Sequence, residues 1–365
     1  MPDALHDVEL FRVRLPLVTP FRTAHDTTAH KDALLVRVRT DAGVGWGECT
    51  AQSASSYAPD TIDTARLVLR DELIPRAFSG APLDAVRGNH TARTALDCAL
   101  LDARLRAEGV SLAVYLGARR PFVPAGVAIG LTESCDELSR LVAAYAEQGY
   151  ERIKCKIAPG NDVEPLRHAR AELGERRALA ADANGSYDLD GARKLLHAVD
   201  DLDLQCVEQP LAAGEMLALA ELARHATTPV CLDESVSNAD DAELAIHLGA
   251  AQVISIKPGR TGSVADAQRL HDVCVRGRVD AVAGGMLETG VGRAFLLAIA
   301  ALPGFTMTGD CSASDRYFGA DGDVTEPIML EGGRLRVPVE PGLGIEPRPE
   351  RLEQCTIAHE RITRR

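Results

Sequence analysis

Beyond residue 122 the chain alternates short apolar runs with longer amphipathic segments. The runs are 123–130, 152–158, 178–184, 205–210, 229–235, 252–258, 279–286 and 305–311. They recur about every 23–29 residues, enough for one strand, one helix and their connections. Between them, segments such as 136–148, 163–173 and 240–248 are rich in Ala, Leu, Glu and Arg at helical spacing. Eight runs with intervening helices predict a closed parallel α/β barrel. An open doubly wound sheet is disfavoured, because no Gly-rich fingerprint follows the first run.

The first ~120 residues carry a different pattern. Residues 8–17 alternate apolar and polar, as an antiparallel strand does. Residues 34–39 alternate again, turn at Thr40-Asp41-Ala42-Gly43 and continue over 44–48, which predicts a hairpin. Its Gly43-x-Gly45-x-Gly47 is not a phosphate loop, since no helix follows at the right offset. The polar stretch 20–30 reads as a flexible segment that covers a site. Helical periodicity takes over at 61–78 and 91–108. After the eighth run no helix follows; the chain becomes Gly- and Pro-rich, 334–339 reads as one more strand, and the tail is expected to return to the N-terminal region.

Composition narrows the function. A net charge of −13 argues against nucleic acid and anionic membrane surfaces. It does not forbid an anionic substrate, because a bound divalent ion can reverse the local field. Nine cysteines without a CxxC pair read as buried free thiols of a reducing cytoplasm. No stretch of 18 apolar residues is present.

Lysine is the most selective feature. Only Lys31, Lys154, Lys156, Lys194 and Lys257 occur among 40 basic residues, and three of these five end apolar runs. An arginine cannot give up its proton, whereas a lysine in a dry pocket can act as a base. In a βα barrel the active site lies at the C-terminal strand ends, and reading those ends in order gives Lys154 and Lys156, Asp182, Glu208, Asp233, Lys257 and the 284–292 loop. Strand alternation sends Lys154 and Lys156 together into the barrel and Cys155 toward the helices. Three carboxylates converging from adjacent strands repel unless a cation sits among them, and an all-oxygen set without His or Cys favours Mg²⁺, or Mn²⁺, over Zn²⁺. Lys156 and Lys257 then flank the ion from opposite sides. This arrangement suits removal of a proton α to a carboxylate through an enolate: the metal stabilises the developing charge, Lys156 takes the proton with the cation of Lys154 as its modulator, and Lys257 returns a proton or stays charged while a β-group leaves.

Lys154-Cys155-Lys156, Asp182-Ala183-Asn184, Val207-Glu208-Gln209-Pro210, Leu232-Asp233-Glu234-Ser235 and Ile256-Lys257-Pro258 resemble the enolase superfamily, muconate-lactonizing subgroup. Gly284-Gly285-Met286-Leu287-Glu288-Thr289-Gly290 and Gly309-Asp310-Cys311-Ser312 look like its o-succinylbenzoate synthase / N-succinylamino acid racemase branch. Pro20-Phe21-Arg22-Thr23 resembles that branch's mobile loop. The resemblance spans nearly the whole chain. It implies an α/β fold, a modified TIM barrel (β/α)7β over 123–318. A capping α+β domain is formed by 1–122, with a mobile active-site loop near 18–31, and by a tail over 319–365. It implies Asp182, Glu208 and Asp233 as Mg²⁺ ligands, Lys156 as general acid/base, Lys154 as modulator and Lys257 as the second lysine. It implies substrate contacts at Asn184, Gly285, Met286, Glu288, Arg22 and His25, although His25 also reads as a solvated loop residue and Glu288 as a brace of the Gly loop.

The implied activities are syn dehydration on the route to menaquinone (a lyase) and inversion of an N-succinylamino acid (an isomerase), in a cytoplasmic enzyme. The expected partners are a small carboxylate substrate and further copies of the chain in a homo-oligomer, with no nucleic acid and no membrane. Ala24-His25-Asp26 and Phe295-Leu296 depart from the branch's pattern and leave the substrate open, so a racemase or epimerase of another N-acylamino acid or amino acid derivative is an alternative. A catalytically silent member that binds a metal–carboxylate ligand is a second one, and a barrel hydrolase with a dinuclear site would need His ligands that these strand ends lack.

Overall fold

The computed structural model describes residues 4–55, 57–319 and 322–364. Three long antiparallel strands open the chain: β1 (Leu5–Arg22), β2 (Thr27–Thr40) and β3 (Gly43–Cys49). Their inward positions, among them Val8, Leu10, Leu34, Val36 and Val38, pack on Ala92, Ala95, Leu96, Ala99 and Ala103 of the helix His90–Glu108. Gly45 and Gly47 face this helix. A Cβ on either would fall inside the backbone of Ala99 or Ala95, so the glycine pattern serves a close helix–sheet approach. Gly47→Ala is expected to push the helix off the sheet and cost about 1–3 kcal/mol of stability. A denaturant midpoint equal to that of the wild type would contradict this.

The polar stretch 20–30 is not an irregular loop. β1 and β2 continue through it, with Phe21 opposite Thr28 and Arg22 opposite Thr27, after an irregularity between Pro16 and Phe21. Thr23 Oγ1 accepts the N–H groups of His25 and Asp26 and closes a four-residue tip. Backbone pairing extends the arm, which the polar composition concealed.

A short strand β4 (Phe122–Pro124) precedes the parallel sheet. That sheet comprises β5 (Gly126–Ile129), β6 (Arg152–Lys156), β7 (Ala178–Asp182), β8 (Val207–Glu208), β9 (Val230–Leu232), β10 (Val253–Ile256) and β11 (Asp280–Ala283), in sequence order across the sheet. The eighth apolar run, 305–311, forms no strand. It joins both edges by one rung each: the Asp310 N–H donates to Ala283 at 2.8 Å and the Gly126 N–H donates to Cys311 at 3.1 Å. The ring therefore closes, with too few bonds for a ladder.

Outward residues such as Ile153, Cys155, Leu179 and Ala181 join the helix-side core. Inward residues make two layers. Ala180, Cys206, Cys231, Val253 and Val282 form a small apolar floor, and the next inward residues, among them Asp182, Glu208 and Asp233, sit above it.

The first apolar run is split, because β4 leaves the barrel to pair with β13 (Arg334–Arg336), itself paired with β12 (Leu330–Glu331). The later strand β14 (Thr356–Thr363) runs antiparallel to β1, with Leu10 opposite Glu360. Glu48 on β3 ties the N-terminal sheet to the barrel: its carboxylate accepts the Thr289 Oγ1–H at 2.6 Å and the Gly292 N–H at 2.9 Å, at the start of the helix Gly290–Ala300. Among the described residues, no helix is long and apolar enough to cross a membrane.

Candidate active site

The inward column of β6 is Arg152, Lys154 and Lys156, three cations on one strand. Each finds carboxylates on its neighbours. Lys156 Nζ lies 2.7 Å from Asp182 Oδ2 and 2.7 Å from Asn184 Oδ1. Lys154 Nζ lies 3.0 Å from the same Asp182 oxygen, 2.8 Å from Glu208 Oε2 and 2.5 Å from Asp310 Oδ2. Across the barrel, four strands away, Lys257 Nζ donates to Asp233 Oδ2 at 2.6 Å. Asp182, Glu208 and Asp233 are fully buried, with Asp182 directly opposite Glu208 in the ladder.

Burial acts on every charge here, and the neighbours decide the outcome. For Asp182, burial alone would raise the pKa, but Lys156 and Lys154 outweigh it and hold the carboxyl well below the usual range. Arg260 and Lys257 do the same for Asp233. Glu208 goes the other way: burial and the charge of Asp182 push it well above its ordinary value despite Lys154. Burial would lower Lys154 and Lys257, yet Asp310 with Glu208 and Asp233 with Tyr57, respectively, raise both amines above their usual value.

Both walls open on one cleft, lined by Lys154, Lys156, Asn184, Lys257, Gly285, Met286 and His25. The β1–β2 arm covers it: Phe21 stands over Lys156, and His25 Nε2 sits 2.6 Å from the Asn184 carbonyl oxygen. Asn184 and Leu287 hold left-handed backbone at φ 45° and 58° at the cleft rim. Two expected substrate contacts do not line the cleft. Glu288 is buried beneath the loop and accepts the Met286 N–H at 2.6 Å, so it braces the turn. Arg22, on an extended strand, projects sideways to Glu133 at 3.3 Å.

Four further residues enter the site: Tyr57 and Arg260, unannounced by the sequence pattern, and Asp310 and Glu234, which stand within its motifs. Tyr57, from the N-terminal region, accepts from Lys257 at 2.7 Å and donates to Asp233 at 3.1 Å. Arg260 donates to Asp233 Oδ1 at 2.6 Å and also to Tyr57. Asp310 pairs with Arg152 as well as Lys154. Glu234 accepts from Asn184 at 2.9 Å, and its pKa is pushed up to about 7 by burial and Asp233. A buried tyrosine or arginine three residues beyond Lys257 has no periodic signature; the sole hint was a basic residue in the otherwise small Pro258-Gly259-Arg260-Thr261 turn.

The donor set fits a hard divalent cation. Asp182, Glu208 and Asp233 offer only oxygens, at one level on adjacent strands, and the buried Glu208 Oε1 has no hydrogen-bond partner. The one group of three His, Cys, Asp or Glu side chains among the described residues whose ligand atoms lie mutually within 4.8 Å is elsewhere: Cys135, Glu164 and His168.

Comparison with known proteins agrees with this architecture. Residues 6–117 match the mandelate racemase / muconate lactonizing enzyme N-terminal domain, and residues 137–351 match the enolase C-terminal domain-like family. The chain is 45% identical to an N-succinylamino acid racemase of Amycolatopsis sp, covering 97% of this chain and 98% of the relative. It is 39% identical to the o-succinylbenzoate synthase of Bacillus subtilis (strain 168), over 94% of both. A solved enolase-superfamily member from Listeria innocua superposes with a TM-score of 0.93 at 32% identity, over 99% of both chains. The chain belongs to the enolase superfamily, as an enzyme built from its mandelate racemase / muconate lactonizing N-terminal domain and its barrel.

Proposed function

We propose that this enzyme moves a proton at the carbon α to a carboxylate, as an N-succinylamino acid racemase, an o-succinylbenzoate synthase, or both. The observation that carries the reading is the pair of amines, the partly exposed Lys156 and the buried Lys257, on opposite walls of one cleft above a carboxylate layer. Asp182, Glu208 and Asp233 would hold Mg²⁺, which supplies positive charge to stabilise an enolate. Lys156 takes the α-proton from one face. In inversion, Lys257 gives a proton to the opposite face of the same carbon. In dehydration, Lys156 hands the abstracted proton to the β-hydroxyl on the same face, which departs as water, while Lys257 keeps its own proton and its charge faces the intermediate; the raised pKa of its amine suits that cationic role. Lys154 acts on Lys156 through the Asp182 oxygen that both contact.

Charge supports a dicarboxylate substrate. The layer already crowds five carboxyl groups, Asp182, Glu208, Asp233, Glu234 and Asp310, against five basic groups, Arg152, Lys154, Lys156, Lys257 and Arg260, and two of those carboxyls, Glu208 and Glu234, have raised pKa values. A dianion arriving with Mg²⁺ adds no net charge to this dry compartment, which avoids the large cost of an unpaired buried charge. An N-succinylamino acid and the cyclohexadiene acid of the synthase reaction both carry two carboxylates. Incubating the Mg²⁺-loaded enzyme with N-succinyl amino acids in D₂O should place deuterium at the α-carbon with inversion, and the cyclohexadiene acid should be consumed if the synthase reaction is present. Neither exchange nor elimination would leave only a metal–carboxylate binder.

A further inference from the structure

Eight of the nine cysteines are buried; Cys135 alone reaches solvent. It is the first residue of the helix Cys135–Gln148, and it faces the first turns of the next helix, Val163–Leu173. Glu164 and His168 stand there four residues apart, on one face of that helix. One ligand atom from each of Cys135, Glu164 and His168 lies within 4.8 Å of the other two. An i, i+4 pair on one helix completed by a thiol from its neighbour is a chelating geometry, and its S, N and O donors differ in kind from the all-oxygen barrel layer.

We propose that Cys135, Glu164 and His168 form a second metal site, specific for Zn²⁺, with the fourth tetrahedral position left to solvent. The thiolate and imidazole suit this borderline-soft ion, while Mg²⁺ has no use for sulfur. The site lies at the rim of the barrel. The residues just before Cys135 grip the arm over the cleft, where the Leu131 N–H donates to the Arg22 carbonyl at 2.9 Å and Glu133 pairs with Arg22. Bound Zn²⁺ would therefore fasten the two helices together beside the arm's anchor.

The test uses the reduced full-length enzyme in millimolar Mg²⁺, which fills the oxygen site, titrated with Co²⁺ as a spectroscopic stand-in for Zn²⁺. One equivalent should give a near-ultraviolet thiolate-to-cobalt band that Zn²⁺ displaces. Cys135→Ser should abolish the band, and Cys135→Ser and His168→Ala should each weaken Zn²⁺ binding at least about tenfold, with Mg²⁺-dependent turnover unchanged. Cobalt bound without a thiolate band, a band that survives Cys135→Ser, or Zn²⁺ affinity equal to wild type in both variants would overturn the proposal. None of these readouts depends on the reaction in the barrel.

Discussion

Lys156→Ala should lose α-proton abstraction by a factor of about 10²–10⁴, the usual worth of a positioned base. Its Nζ meets Asp182 and Asn184 and faces the cleft beneath Phe21. The other amine on that wall, Lys154, is locked among three carboxylates and held protonated, so it cannot take over. Lys156→Arg should be equally inactive, because a guanidinium keeps the charge but does not release its proton. Lys257→Ala should give a different phenotype in the racemase reaction. The substrate enantiomer whose α-proton faces Lys156 should still exchange with D₂O but no longer invert, since the opposite wall has lost its donor. Deuterium exchange followed by NMR, together with chiral analysis of the product, separates the two. Exchange at the wild-type rate in Lys156→Ala would assign the base to another residue.

The second large effect is expected at Glu208. Changing a group that merely supports a metal ligand costs about 10–100-fold in affinity, so Glu208→Gln, which alters a ligand itself, should weaken Mg²⁺ binding by more than that and remove turnover with it. Burial, and after it the charges of Asp182, Asp233 and Asp310, hold the pKa of Glu208 above the ordinary range. A divalent cation reverses that balance, whereas a neutral amide gains little from it. Titration calorimetry with Mg²⁺ measures the loss directly. Chelation of the wild-type enzyme should likewise stop turnover, and added Mg²⁺ should restore it. Unchanged Mg²⁺ affinity in Glu208→Gln would place the ion elsewhere.

The residues behind both predictions were legible because each ends an apolar run. A charge at the end of a strand that is otherwise buried has few places to go, and the two-residue alternation of a strand fixes its side. Lys156, Asp182, Glu208 and Lys257 all follow this rule. Tyr57 and Arg260 do not. Tyr57 meets Lys257 across 200 residues of sequence, and that pairing is created only when the N-terminal domain docks on the barrel. Arg260 sits in a short turn, where no periodicity assigns a direction. At 20–30 the polar composition marked a segment that lies over the cleft but hid its backbone pairing, and Glu288 read equally as a substrate contact or a brace, because a carboxylate in a Gly-rich loop reads the same whether it faces substrate or its own turn. The run 305–311 has the composition of a strand, but it spans the seam of the barrel with a single backbone–backbone bond on each side.

The pairing of β14 with β1 has a consequence for biogenesis. The strand that carries the arm over the cleft keeps an open edge until residues 356–363 have been synthesised and have found it, a closure across more than 340 positions of chain. At ribosomal speeds of about 5–20 residues per second the barrel is made only roughly 3–10 seconds earlier, and meanwhile that edge stays available to chaperones or to another nascent chain. Completion of the sheet that carries the arm thus waits for a strand made after the whole barrel.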